Sequence, residues 1–355
     1  MYSERVVEII EKSYNLEEDA EGLIAAFIEE DPKHPRGHFL KAARLYWLQY
    51  YAGYDVELSA EFERAAMDAL AVAKRFNSNN KRDEDALFFL GMVELNLARY
   101  YVDRERWVSA FFKARSGMKH LRRVLRLNPD YHDAKQPFGL ANCYLADAPS
   151  FLKVFARLVR FRGDYSEGMR LLRESKRLGY YTRYESSLYI ADVSWAVQQD
   201  AAIAQVEIQE LVDRFPRNVF FHLNLAILEE KQGDREAAIE RLRHLVTMPE
   251  LDDFLDLYVE AYLKLGYFIN LNGEHEEALD YIERGLEALG ERENALSLVS
   301  MAMFLKGSVL CDLRRMDDGL NVLRSIKREW HPALFGRAQE KIKEMEASKR
   351  SAEEL

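Results

Sequence analysis

Apolar residues recur through this chain at steps of three and four, the period of an amphipathic helix rather than a strand. The clearest stretch starts at Tyr258 and reads YVEAYLKLGYFINLNGEHEEALDYIERGL. Its pattern predicts a first helix with Leu265-Gly266 at its middle. Gly273 stops that helix, because glycine enters the left-handed conformation without strain. A second helix follows, with Ala278, Ile282 and Gly285 on one face. Small residues at Gly266 and Ala278 let the two helices approach closely, and larger neighbours fill the gaps around them.

The same frame appears upstream in FFHLNLAILEEKQGDREAAIERLRHLV, at Leu225-Ala226, Gly233, Ala238 and Leu242. Downstream it appears at Lys306-Gly307, Gly319 and Leu323. The small second-helix residue recurs at 238, 278 and 319, a step somewhat longer than the usual helical-hairpin repeat of about 34 residues. Thr247–Asp253 is the expected site of the extra length. Diverged second helices, closed by proline, are read at Ala20–Pro32, Gly117–Pro129 and Ala204–Pro216. The pattern resembles the tetratricopeptide repeat, with a small residue in each helix around a short turn.

That resemblance implies an all-α fold: an α-solenoid of about eight hairpins wound as a right-handed superhelix. A capping helix over 332–350 closes it, with Ala338, Ile342 and Met345 inward. The whole chain, 1–355, is read as one domain. Residues 218–330 hold the most regular repeats, and 81–185 are irregular. Long helices are expected there from Asp83 to Val102 and from Arg106 to Leu127. An inserted helix, near 150–162, interrupts the fourth hairpin.

The irregular stretch carries Phe89-Leu90-Gly91, Asn128-Pro129-Asp130, Asp133-Ala134, Phe138-Gly139-Leu140, Pro149, Gly163-Asp164, Gly168 and Leu171-Leu172. On those residues the region resembles bacterial relatives of the inclusion-body-clearance (mitochondrial outer-membrane and lipid-droplet) tetratricopeptide family. The resemblance implies a helical scaffold with partners and transfers no functional residue.

Charge adds a second asymmetry. The chain has 50 Lys and Arg against 60 Asp and Glu, a net charge of -10. From Arg104 to Arg183 there are 18 Lys and Arg against 7 Asp and Glu, which is +11 and leaves -21 for the rest. Lys153, Arg157, Arg160 and Arg162 border the apolar face of the inserted segment, formed by Phe151, Leu152, Phe155, Leu158 and Val159. Such a helix either buries that face on the array or lies in a membrane interface.

No apolar run is long enough to cross a membrane as a helix, and the first residues lack an apolar signal core; a cytoplasmic location is expected. Cys143 and Cys311 lie in apolar stretches and read as buried free thiols. His34 and His38 are four apart, but Pro35 and Gly37 between them weaken a metal-binding reading. Phosphate-loop, dinucleotide and zinc-protease signatures are absent. No catalytic residue, cofactor, metal or small-molecule substrate is inferred.

The expected function is therefore a non-enzymatic scaffold holding a peptide or helix of a protein partner in an apolar and aromatic concave groove. The repeat frame assigns that groove to Tyr189, then Phe220, Leu223 and Ile227, then Leu263, Tyr267 and Asn270, then Phe304 and Ser308. It lacks the Lys and Asn set that would clamp a C-terminal carboxylate. The alternative is a peripheral membrane or lipid-associated protein that docks through the basic middle and the 150–162 amphipathic helix. Nucleic acid is disfavoured by the acidic balance.

Overall fold

The structure is a computed structural model and describes residues 4–53, 55–79, 81–147, 163–290 and 295–353. Among them are seventeen α-helices. They are α1 (Glu4–Tyr14), α2 (Asp19–Glu30), α3 (Pro35–Tyr51), α4 (Val56–Asn79), α5 (Glu84–Val102), α6 (Trp107–Leu127), α7 (Gln136–Asp147), α8 (Tyr165–Leu178) and α9 (Arg183–Gln198). The rest are α10 (Ala201–Arg214), α11 (Val219–Lys231), α12 (Arg235–Leu245), α13 (Leu255–Leu271), α14 (His275–Leu289), α15 (Leu296–Asp312), α16 (Met316–Arg324) and α17 (Pro332–Glu353). The first sixteen pair in chain order as eight hairpins, Tyr46 meeting Phe62 between α3 and α4 and Arg241 donating to Glu229 between α12 and α11, and α17 packs on the last pair. The architecture is the expected all-α solenoid of helical hairpins.

One close contact recurs at the hairpin crossings. A Cβ on Gly117 would lie 2.7 Å from the Gly91 carbonyl oxygen, and one on Gly168 2.7 Å from that of Gly139. A Cβ on Gly319 would lie 2.7 Å from the Gly307 carbonyl, and one on Gly266 2.8 Å from that of Ala278. These atoms are backbone and cannot swing aside, so the glycines are required for space. Both cysteines are buried beside such a crossing: the Cys143 and Cys311 sulfurs lie against Gly168 and Gly319. Burial raises both thiols, that of Cys143 to about 11, so neither is a thiolate at neutral pH.

The turns are just as uniform. Each of the eight contains a residue with positive φ: Leu16, Gly53, Glu105, Gly163, Gln199, Gly233, Gly273 and Arg314. In seven of them the left-handed residue lies within three residues of the end of the first helix, and the second starts within three more; between α7 and α8 the described residues are Gly163 and Asp164. In four turns an aspartate caps the second helix: Asp55 accepts from the Leu58 N–H, Asp164 from Glu167, Asp200 from Ile203 and Asp234 from Ala237, at 2.7–3.1 Å.

The chain divides into two compact units, residues 1–50 with 55–221, and residues 51–54 with 222–355. The first has an aromatic interior. Phe39 stacks on Phe89 at 4.9 Å, and Phe88 on Tyr181 at 5.5 Å. Beside them lies a buried polar knot. The Asp133 carboxylate accepts from the N–H groups of Tyr180, Tyr181 and Thr182 and from the Thr182 hydroxyl, all at 2.7–2.9 Å. The start of the chain also belongs here. Tyr14 stacks on Phe215 at 5.5 Å, Asn218 donates to the Tyr14 carbonyl at 2.6 Å, and Glu11 accepts from Tyr184 and Arg214.

The second unit is the regular one. Ala226, Ala238, Leu265, Ile282 and Leu323 are fully buried at the crossings of its three hairpins. The length between its first two hairpins, foreseen at Thr247–Asp253, is a 3-10 turn over Pro249–Asp253. Ala338 and Ile342 of α17 close the end of its core against Cys311, Leu320 and Leu323, as the capping reading expects.

Candidate partner-binding face

The groove frame puts Tyr189 and Phe220 in the first unit and the other candidates in the second. Tyr189 is buried. Its hydroxyl donates to Glu185, and its ring lies 4.6 Å from the Arg99 guanidinium. Glu185 also accepts from Arg99 at 3.2 Å and from Gln136 at 2.8 Å, so this knot is satisfied from within. Burial and the Glu185 carboxylate push the Tyr189 phenol well above its usual range; it stays protonated and donating. Phe220 is half-buried, in edge contact with Tyr50 at 5.8 Å.

In the second unit the candidates separate by depth. Leu223 and Leu263 are core residues. Ile227, Asn270, Phe304 and Ser308 are half-buried. Asn270 has its own partners: its amide donates to Asp312 at 3.0 Å and its oxygen meets the His275 ring nitrogen at 2.7 Å. Ser308 donates to the Phe304 carbonyl at 2.8 Å. Phe304 packs against the α16–α17 core, with the Arg337 guanidinium 4.9 Å from its ring centroid. Tyr267 alone of the candidates is exposed, at 42%.

Two further exposed apolar residues were missed by the frame. Leu271 lies one turn further along α13, and Met301 lies one turn before Phe304 on α15; both are exposed. Among the described residues of the second unit, Tyr267, Leu271 and Met301 are its exposed large apolar side chains. The signal for them was the i, i+4 step from Tyr267 and the i, i−3 step from Phe304, applied past the residues chosen.

Lys153, Arg157, Arg160 and Arg162 lie outside the described residues, as does the apolar face they border. His34 and His38 are engaged locally, His34 accepting from the Arg36 N–H and His38 meeting the Pro32 carbonyl. No described helix is long and apolar enough to cross a membrane.

Small residues at the crossings, a left-handed residue in every turn and paired helices in chain order define the fold as tetratricopeptide-type. No family model matches the sequence, and no curated protein matches it. Among solved structures, it is similar to a chain of the APC/C hetero-tetramer Cut9-Hcn1, at 12% identity and TM-score 0.50, over 90% of this chain and 52% of that one. It is also similar to yeast Tom70 (9% identity, TM-score 0.47, 93% of this chain and 85% of that one). A third likeness is to PilW, a type IV pilus biogenesis factor (16% identity, TM-score 0.44, 71% and 98%).

Proposed function

We propose that this chain is a non-enzymatic scaffold that holds a protein partner, and that the first-helix face of its second unit makes the contact. The observation that supports this reading is the placing of Tyr267, Leu271 and Met301. Among the described residues of the unit these are the large apolar side chains left exposed, and they lie on two successive first helices. Tyrosine, leucine and methionine side chains give an apolar helix or extended segment a surface to anchor on, and an aromatic ring does so at small entropic cost. The chain of similar fold from Cut9-Hcn1 is part of a hetero-tetramer, which agrees with a fold used for assembly. The finer resemblance of residues 83–185, to bacterial relatives of the inclusion-body-clearance family, implies partners as well and names none.

The test is capture from native extract with the wild-type chain and with the Tyr267→Ala, Met301→Ala double variant, followed by mass spectrometry. Both side chains are exposed, so the melting temperature should hold. A polypeptide retained by the wild type and lost by the variant supports the face. A variant of unchanged melting temperature that retains every partner rejects it.

A further inference from the structure

The outer side of α6 carries a ridge that neither the aromatic interior nor the second-unit face accounts for. From Trp107 to Leu127 this helix has six Lys and Arg and no Asp or Glu. Its inward side is Ala110, Gly117, Met118, Leu121 and Val124, all buried. On the opposite side Val108, Phe112, Arg115, Lys119, Arg122 and Arg126 follow one another at steps of four and three, which aligns them along the helix. Trp107 and Phe111 sit beside its first two turns.

The ridge is apolar at one end and cationic at the other. Trp107, Val108, Phe111 and Phe112 are between 55% and 71% exposed, and the rings of Phe111 and Phe112 meet edge-on at 5.6 Å. Arg115, Lys119 and Arg126 are exposed; Arg122 is half-buried, its guanidinium 5.6 Å from the Phe138 ring centroid. The cationic part runs for about 16 Å at 1.5 Å per residue. Four large apolar side chains left in water on adjacent turns mark an interaction surface.

We propose that this ridge docks an acidic segment of a protein partner, one that carries bulky apolar side chains at one end and a run of carboxylates along the rest. Charge complementarity selects that occupant: the cations lie in a line with no acid among them, so a line of carboxylates matches them one turn at a time. A flat anionic bilayer fits less well. The turn before α6 places exposed Asp103 and Glu105 at the apolar end, where they would face anionic headgroups. Arg106, just before α6, and Lys113 flank the apolar patch, but the other cations of α6 trail away from it along the helix axis. Glu63, on α4, is occupied near that end by Arg106 at 3.5 Å and by the Tyr101 hydroxyl at 3.0 Å.

The proposal is independent of the second-unit face. It is tested by fluorescence anisotropy on the full chain. The probe is a labelled synthetic peptide with several leucines at one end and several glutamates at the other. Its controls are the same peptide with glutamines for the glutamates and with serines for the leucines. Binding to the first peptide, at least about tenfold weaker to either control, is expected, with steep weakening as salt rises. Phe112→Ser with Trp107→Ser should lose the apolar contribution. Arg115→Glu with Lys119→Glu should lose the charge contribution. Each pair should weaken binding about tenfold or more at unchanged melting temperature, and Tyr267→Ala with Met301→Ala should leave it unaltered.

Equal binding of the acidic and glutamine peptides overturns the proposal, as do stable variants that bind like wild type. If vesicles of phosphatidylserine and phosphatidylcholine are bound through Trp107 and Phe112 while the peptide is not, the occupant is a lipid surface instead. If sedimentation shows a dimer that Phe112→Ser dissolves and the peptide does not, it is a second copy of this chain.

Discussion

The two units are built from one hairpin and treat the same helix position in opposite ways. In both, a glycine at the middle of a first helix lets the second helix cross closely. The residue after that glycine is Met92 in the first unit, 3% exposed, and Tyr267 in the second, 42% exposed. Three residues before the glycine, Phe88 is sealed among Phe39, Tyr131 and Tyr181, whereas Phe304 is half-covered by the cap. The first unit packs this part of a first helix, α5, inward, although Tyr50, Tyr144 and Trp195 on other first helices stay exposed. The second keeps part of such a face open. A repeat frame therefore locates a side chain on a helix but does not say whether it meets solvent, because that depends on what the neighbouring turns bring.

The sharpest way to break this comparison is to truncate the two equivalent side chains. Met92→Ala should destabilise the chain by about 2–4 kcal/mol, through lost burial and the cavity left behind. Tyr267→Ala should change stability by less than about 0.5 kcal/mol, as exposed positions do. Chemical denaturation followed by circular dichroism measures both. Similar losses from the two would erase the distinction between the units.

A smaller effect probes what the units share. The left-handed turn residue is glycine at 273 and glutamine at 199, at φ +87 and +56. A Cβ on Gly273 would meet nothing within 4 Å, so its role is conformational. Gly273→Ala should cost about 1 kcal/mol, because a side chain in that conformation crowds its own carbonyl. Gln199→Gly should add about 0.5 kcal/mol, the relief of the same strain less the extra freedom of the unfolded glycine. A rise in melting temperature for Gln199→Gly with a fall for Gly273→Ala would show one turn geometry in both units. No change in either would mean the turns do not limit stability.

The smallest effect belongs to the first unit alone. Burial pushes the Glu11 carboxyl up, but the hydrogen bonds from Tyr184 and Arg214 outweigh it, and its pKa ends below the usual 4.5. A carboxyl lowered by folding stabilises the folded chain at pH above its unfolded value, and that share fades as pH falls through the lowered folded value. Because the site is partly open to solvent, the share is a few tenths of a kcal/mol. Stability measured from pH 7 down to pH 3 should fall slightly less steeply for Glu11→Gln than for the wild type. Parallel curves would mean that the seating of α1 carries no charge contribution.

Much of the fold was legible from the chain itself, for a local reason. Helix period, crossing glycines and the cap depend on residues close in sequence, and Gly91, Gly117, Gly139, Gly168, Gly266, Gly307 and Gly319 announce where helices touch. One turn of the middle hides the common geometry: Glu105 holds the left-handed conformation that Gly233 and Gly273 advertise, as does Gln199 just beyond it. The candidate face was half legible. The frame found Tyr267, passed over Leu271 and Met301, and included Leu223, Leu263 and Tyr189, which the structure buries.

What the sequence by itself determined is the repeating unit, because a hairpin is decided within about forty residues by helix period, small crossing residues and turn chemistry. What only the tertiary structure decided is which faces stay open. The contacts of Tyr14 with Phe215, and of Arg99 with Glu185 and Tyr189, join residues some eighty to two hundred positions apart that no period relates. Exposure follows from how many such distant groups converge on a side chain. That convergence closed the first unit's interior, while the ridge on α6 and the face around Tyr267 were left in solvent.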